Sequence, residues 1–280
     1  MRVGVGLPGT VPGCPGELVV EWARRADEGP FASVGVLDRV RYDCFDPLAM
    51  LAAAAAVTRR VRLVSMIVIA PLRNAVVLAK EAASIDAMSG GRLVLGLSIG
   101  ARHDDYEEAG VDHRRRGRQL TEQVVRMRAV WEDGAVGPRP ARPGGPELLL
   151  GGSSGEAFAR MARYGDGYVH GGGPPRAFAG AAARALAAWA DAGRPGRPLL
   201  YGQGYFALGP DAAPKGADYL RDYYAFTGPF AEKVAAACLT TPQAVRDFVR
   251  GYEEAGCDEL VLFPTVTDLA QLERLAEVLA

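Results

Sequence analysis

Short apolar runs alternate with amphipathic stretches along the chain, a pattern that predicts strands at residues 3–7, 33–38, 61–69, 93–98, Glu147–Gly151, 167–170, 199–208 and 259–263. Between them, helical periodicity predicts helices at Gly16–Glu28, 47–58, 75–88, 117–131, Gly155–Tyr164, 175–192, 217–238 and 242–255, with a last helix at 269–279. Eight strand–helix units in strict alternation imply parallel strands joined by crossovers. They close most naturally into an α/β fold of the (β/α)8 TIM barrel type, with a doubly wound open sheet as the other arrangement. In such a barrel the loops after the strands carry the chemistry. Residues 134–146 are rich in proline and glycine and lack apolar periodicity, so they read as a surface connection before the fifth strand. A chain of 280 residues suits one such barrel as a single domain.

Composition narrows the classes of function. Apolar residues make up 49% of the chain, enough for a sizeable core, and the formal net charge is −1. No basic stripe interleaved with aromatics is present, so nucleic acid is not an expected partner. No apolar run is long enough to span a bilayer, and the strand-like opening does not read as a signal peptide. Cys14, Cys44, Cys238 and Cys257 are scattered without close pairs, which suits packing roles in a reducing cytoplasm. Cys44 follows a strand on the chemical side of the fold but has no neighbour in sequence that would stabilise a thiolate.

The richest stretch is GGRLVLGLSIGAR, residues 90–102. Gly90 and Gly91 make a turn without steric cost, the apolar run reads as a strand buried on both faces, and Gly100 lets backbone approach a ligand closely. Gly151-Gly152-Ser153-Ser154-Gly155 leads from a strand into a helix; its amides could hold a phosphate, with serine hydroxyls adding donors, or a serine could serve as an ordinary N-cap. Asp38, Arg39, Arg41 and Tyr42 end the second strand, as a mouth-facing cluster or as surface ion pairs. Arg102 offers a partner for a phosphate or a substrate anion. His103, Asp104 and Asp105 are adjacent and cannot all turn to one ion, so no metal is expected and the two carboxylates read as capping the next helix. His170 ends strand six before a glycine-rich loop, as the histidine for proton transfer or substrate contact, or as one merely hydrogen-bonded there. Tyr219, Tyr223, Tyr224 and Phe226 read as pocket lining, core or subunit contact; Gln203 and Tyr205 are similarly open. No lysine falls at a strand end, which disfavours a barrel lyase or isomerase.

Taken together, VGVGLP at 3–8, SVGVLDR at 33–39, PLRNAVVLAKEAASID at 71–86, SGGRLVLG at 89–96 and LLLGGSSGEAFARMARYGDGY at 148–168 resemble the luciferase-like flavin-dependent monooxygenase family, as do stretches at 115–131 and 241–264. The resemblance covers most of the chain, and it is the combination of segments that is specific. It implies a luciferase-like barrel with a cofactor-phosphate loop at Gly151, Gly152, Ser153 and Ser154, and with Ile99, Gly100, Ala101 and Arg102 beside the cofactor tail. It also implies a bulge behind the flavin ring at Met66 and Ile67, with a cis peptide between them; an uninterrupted strand is the alternative. The catalytic candidates are then Asp38, Arg39 and His170. Deazaflavin-using relatives carry histidine where Arg39 stands, so this position points to anion binding instead. The implied activity is two-component monooxygenation of a small organic substrate, with reduced FMN supplied by a separate reductase. Coenzyme F420-dependent hydride transfer and non-catalytic flavin binding are the alternatives, and the family implies a homodimer.

Overall fold

A computed structural model describes residues 1–280. Nine parallel strands form its sheet: β1 (Arg2–Gly6), β2 (Ser33–Val36), β3 (Arg62–Ser65), β4 (Val68–Ile69), β5 (Leu93–Ser98), β6 (Glu147–Gly151), β7 (Gly167–Val169), β8 (Leu199–Phe206) and β9 (Glu259–Pro264). Their order runs β3-β2-β1-β9-β8-β7-β6-β5-β4, and β3 also pairs with β5. That last pairing closes the sheet, so no open edge remains and the doubly wound arrangement is excluded. Because β3 and β4 form one interrupted stave, the barrel has the eight staves read from the sequence.

Around it stand α1 (Gly16–Glu28), α2 (Pro47–Val57), α3 (Ala75–Ser89), α4 (His103–Glu108), α5 (Arg116–Asp133), α6 (Gly155–Tyr164), α7 (Pro175–Asp191), α8 (Ala212–Tyr223), α9 (Phe230–Ala236), α10 (Pro242–Glu254) and α11 (Ala270–Leu279). Local chemistry sets their ends. Asp46 caps α2 by accepting the Leu48 and Ala49 amides, and Asn74 caps α3, which stops at Gly90 in the left-handed region. The helix expected at 217–238 is instead two, α8 and α9, because Gly228 at φ 60° followed by Pro229 breaks the run.

The pleat divides the apolar residues into two layers. Val64, Val94, Leu149, Val169, Tyr201 and Val261 point into the barrel. Leu63, Leu95, Leu148, Tyr168 and Leu260 point out against the helices. The end of the barrel where the strands begin is stoppered by charge. Glu259, fully buried, lies 2.9 Å from Arg2 and 3.6 Å from Arg62, and Arg62 also bonds Glu147 and the Tyr201 hydroxyl. No helix is long and apolar enough to cross a membrane.

Candidate active site

The opposite end is shaped first by the break in the third stave. Val64 pairs with Val94 and Val68 with Leu97, so Ser65, Met66 and Ile67 stand opposite only Leu95 and Gly96. One extra residue is a β-bulge, which leaves ladder groups unpaired. Ser65 covers them: its hydroxyl accepts the Gly96 amide at 2.8 Å and donates to the Gly96 carbonyl at 2.9 Å. A Cβ on Gly96 would lie 2.1 Å from the Ser65 carbonyl oxygen, so only glycine fits there. The bulge brings Met66 and Ile67 into a cavity at the barrel mouth. The peptide between them is trans, a correction to the expected cis bond; the cis peptide in the chain is Gly137–Pro138. The extra residue by itself supplies the change of direction.

Two buried ion pairs fix the loops around this cavity. Asp38 accepts the Ile69 amide at 2.8 Å and two contacts from Arg73, at 2.9 and 3.0 Å. Burial pushes its carboxyl up, while Arg73 and the Ile69 amide oppose that. Asp105 accepts from Arg39 Nε at 3.1 Å and from the Val40 and Arg41 amides at 3.0 and 2.8 Å. Asp105 therefore does not cap a solvated helix, as the sequence suggests. Its neighbour Asp104 is the partly exposed one, and helical rotation turns Asp105 inward to hold the loop after β2. Arg39, read as an open anion site, is buried in this pair and lies under Tyr42, with 4.7 Å between guanidinium carbon and ring centroid.

Aromatic side chains roof the cavity. Arg102 donates to the Tyr223 carbonyl at 2.9 Å and stacks over Phe226 at 4.3 Å. Tyr205 and Tyr224 share a hydroxyl–hydroxyl bond of 2.8 Å, Tyr42 donates to Asp222 at 2.5 Å, and Tyr219 donates to Thr10 at 3.0 Å. Burial pushes Tyr205, Tyr219 and Tyr223 well above the ordinary phenol range, so all three are neutral donors. The space between these side chains is about 170 Å³ and opens to solvent at the barrel mouth.

The cavity thus gathers Asp38, Arg39, Met66, Ile67, Gly100, Ala101 and Arg102. Gly100 sits at φ 66°, which disfavours a side chain, and a Cβ there would press on Ile69 at 3.0 Å. Ile99 lies outside the cavity, packing on the helix-side core while its carbonyl accepts the Tyr106 hydroxyl. His170 lies outside it too. Val169 points inward, so strand parity turns His170 outward with Tyr168, its ring 5.7 Å from Phe178. Burial lowers its pKa, and Nδ1 has no partner. Cys44 is no nucleophile: burial, with Asp38 nearby, pushes its thiol up to about 11.

The phosphate-loop candidates sit at the same end of the barrel, at the start of α6. Ser154 caps the helix, its hydroxyl accepting the Ala157 amide at 3.2 Å, as the capping alternative has it. Gly152 adopts φ 133°, and a Cβ there would come 2.6 Å from the Ala157 Cβ. The Tyr168 hydroxyl holds the Gly152 carbonyl at 2.9 Å. Ser153, Ser154 and Gly155 are exposed, so the helix start can take an anion. The neighbouring Glu156 carboxyl is held below its ordinary range by its own amide and the Ser154 hydroxyl, so it competes for that position. A glycine-shaped helix start, a bulge and an aromatic roof fit a ring-bearing phosphate cofactor. Sequence reasoning missed Thr10, the inward role of Asp105, and Arg73, which lies within the family-like segment 71–86 but was given no role there.

The family model for luciferase-like monooxygenases matches residues 1–255. The chain belongs to that family. Pyrimidine monooxygenase RutA of Cronobacter sakazakii is 33% identical over 171 residues, covering 53% of this chain and 50% of that one. The uncharacterized protein Rv0953c of Mycobacterium tuberculosis is 32% identical over 138 residues, covering 44% and 49%. The chain spans about half the length of the curated relatives it matches. Among solved structures, monooxygenase RslO1 from Streptomyces bottropensis superposes with a TM-score of 0.78 at 20% identity, covering 99% of this chain and 97% of that one. An F420-dependent secondary alcohol dehydrogenase in complex with an F420-acetone adduct gives the same TM-score at 18% identity, with 99% and 98% covered. At these identities the likeness is one of fold.

Proposed function

We propose that this chain is the oxygenating component of a two-component flavin monooxygenase, binding reduced FMN that a separate reductase supplies and acting on a small organic substrate. The observation that carries this reading is the chemistry of the cavity wall. Its carboxylates, Asp38 and Asp105, are both committed to arginines, and no histidine lines it. Removing hydrogen from an alcohol calls for a free base beside the carbinol, and this wall offers none. A wall rich in aromatic rings instead suits oxygen chemistry, in which water must be held off the reacting atoms.

When bound, reduced FMN would supply the electrons that activate oxygen. Met66 and Ile67 give the ring an apolar backing, and the amides at Ser153 to Glu156 with the Ser154 hydroxyl hold the phosphate once Glu156 swings away. Arg102, through the Tyr223 carbonyl, holds the roof down. Tyr205, Tyr223 and Tyr224 line the pocket with neutral phenols. His170 takes no part at the reacting atoms in this reading; it braces the layer behind the phosphate loop. The resemblance to the family supports a homodimer, which multi-angle light scattering would check.

The deciding experiment is anaerobic titration with reduced FMN and with reduced coenzyme F420, using Ser153→Ala and Ser154→Ala as controls. Tighter binding of FMN, weakened by the serine changes, supports the reading. Preference for F420 moves the assignment to hydride transfer. Binding without any substrate-dependent oxygen consumption favours a flavin carrier, and failure to bind either cofactor sinks the site.

A further inference from the structure

Apart from Arg102 Nε, two buried polar atoms on residues of the cavity wall have no hydrogen-bond partner: Arg39 Nη1 and Gln203 Oε1. Each is left over after its own side chain has been fixed. Arg39 spends Nε on Asp105 and Nη2 on the Arg41 carbonyl, and Gln203 spends Nε2 on the Gly171 carbonyl at 3.0 Å. The Arg102 Nε is also unpartnered, but it lies 3.7 Å from Asp104 and 4.0 Å from Asp105, which account for it. Buried polar groups are nearly always satisfied in the working state, so a leftover donor and a leftover acceptor around one small cavity describe a ligand. That ligand carries an acceptor oxygen for Arg39 and an O–H or N–H donor for Gln203. Tyr205, Tyr223, Tyr224 and Phe226 wall the same cavity and favour a flat ring by stacking. A cationic ligand would meet two arginines there, whereas the buried carboxylates are already paired.

Resting on the monooxygenase reading, we propose that the substrate is a planar aromatic compound carrying both a hydroxyl and a second, acceptor oxygen, and that Arg39 and Gln203 select it. Arg39 donates to the second oxygen, and Gln203 accepts from the hydroxyl. The imide edge of a flavin offers the same pair of groups, so the test separates the two sources.

Anaerobic calorimetry compares 2,3-dihydroxynaphthalene, 2,3-dimethoxynaphthalene and naphthalene on the wild-type chain, Arg39→Lys and Gln203→Leu, with reduced FMN titrated in parallel. Lysine keeps a charge for Asp105 but lacks the planar fork that places a second donor at the Nη1 position, and melting curves verify that each variant folds. The dihydroxy compound should bind about tenfold or more tighter than naphthalene on wild type. Arg39→Lys should cost both oxygenated probes about tenfold, and Gln203→Leu should cost only the dihydroxy probe. A purely structural role would move all three probes together. Equal affinities of the three on wild type overturn the proposal, as does loss of FMN affinity in the variants with probe affinities unchanged, which assigns the pair to the flavin. If Arg39→Lys fails to fold, the Gln203→Leu pattern decides alone. Absence of FMN binding with the probe pattern intact refutes the monooxygenase reading and leaves the recognition pair standing.

Discussion

Replacing Asp105 by alanine tests the most consequential contact in the site. The carboxylate is fully buried and answers three donors: the Arg39 guanidinium and the amides of Val40 and Arg41. Its loss strands the Arg39 charge in a buried position, and breaking one side of such a pair costs about 3–5 kcal/mol. A chain of this size loses roughly 2–4 °C of melting temperature per kcal/mol, so the variant should melt about 6–20 °C lower. Asp105→Asn should lose less, since its carbonyl still accepts from backbone. Combining Arg39→Met with Asp105→Asn should cost less than the two single changes summed, by about 1–3 kcal/mol, because neither charge is then left alone. Urea unfolding of the four variants with the wild type supplies the comparison. A loss below about 1 kcal/mol for Asp105→Ala would mean that water reaches Arg39 and that the loop after β2 is not held as described.

Further outcomes follow from the same contacts. Ser65→Ala removes the group that satisfies both the amide and the carbonyl of Gly96, and should cost about 1–3 kcal/mol by urea unfolding; a neutral result would refute the bulge assignment. His170 is lowered below its ordinary 6.5, so the unfolded chain binds its proton more readily. Its contribution is therefore present above that value and is lost as pH falls below it, and His170→Phe should flatten the stability profile in that window; an unchanged slope refutes its burial. Gly152→Ala forces a side chain into the α6 start at φ 133°, and should weaken reduced FMN about tenfold by anaerobic titration while serine hydroxyls remain. Unaltered affinity would remove the loop from the cofactor site.

The barrel was legible because its signal is periodic and repeated: strands read as short apolar runs, and an amphipathic helical stretch lies between each and the next. The split of the expected 217–238 helix was also written in the chain, at Thr227-Gly228-Pro229, where both glycine and proline oppose continuation. Parity was harder. Whether His170 faces the axis or the helices depends on one residue of register, and Tyr168 and Val169 are both apolar enough for either face. Asp104 and Asp105 are chemically identical neighbours, and only the rotation of a six-residue helix makes one solvated and the other buried. The bulge required counting residues on two paired strands, which no single segment reveals.

The charged stopper of Arg2, Arg62, Glu147 and Glu259 has a consequence for the order of events. A vessel closed at its base has one door, and everything that reaches the barrel interior passes the tyrosine roof. Under the monooxygenase reading, whichever of cofactor and substrate lies deeper must arrive first and leave last. Turnover would then follow a compulsory sequence imposed by architecture, with the rate of exchange set at the roof and the rigidity of the barrel kept at the far end.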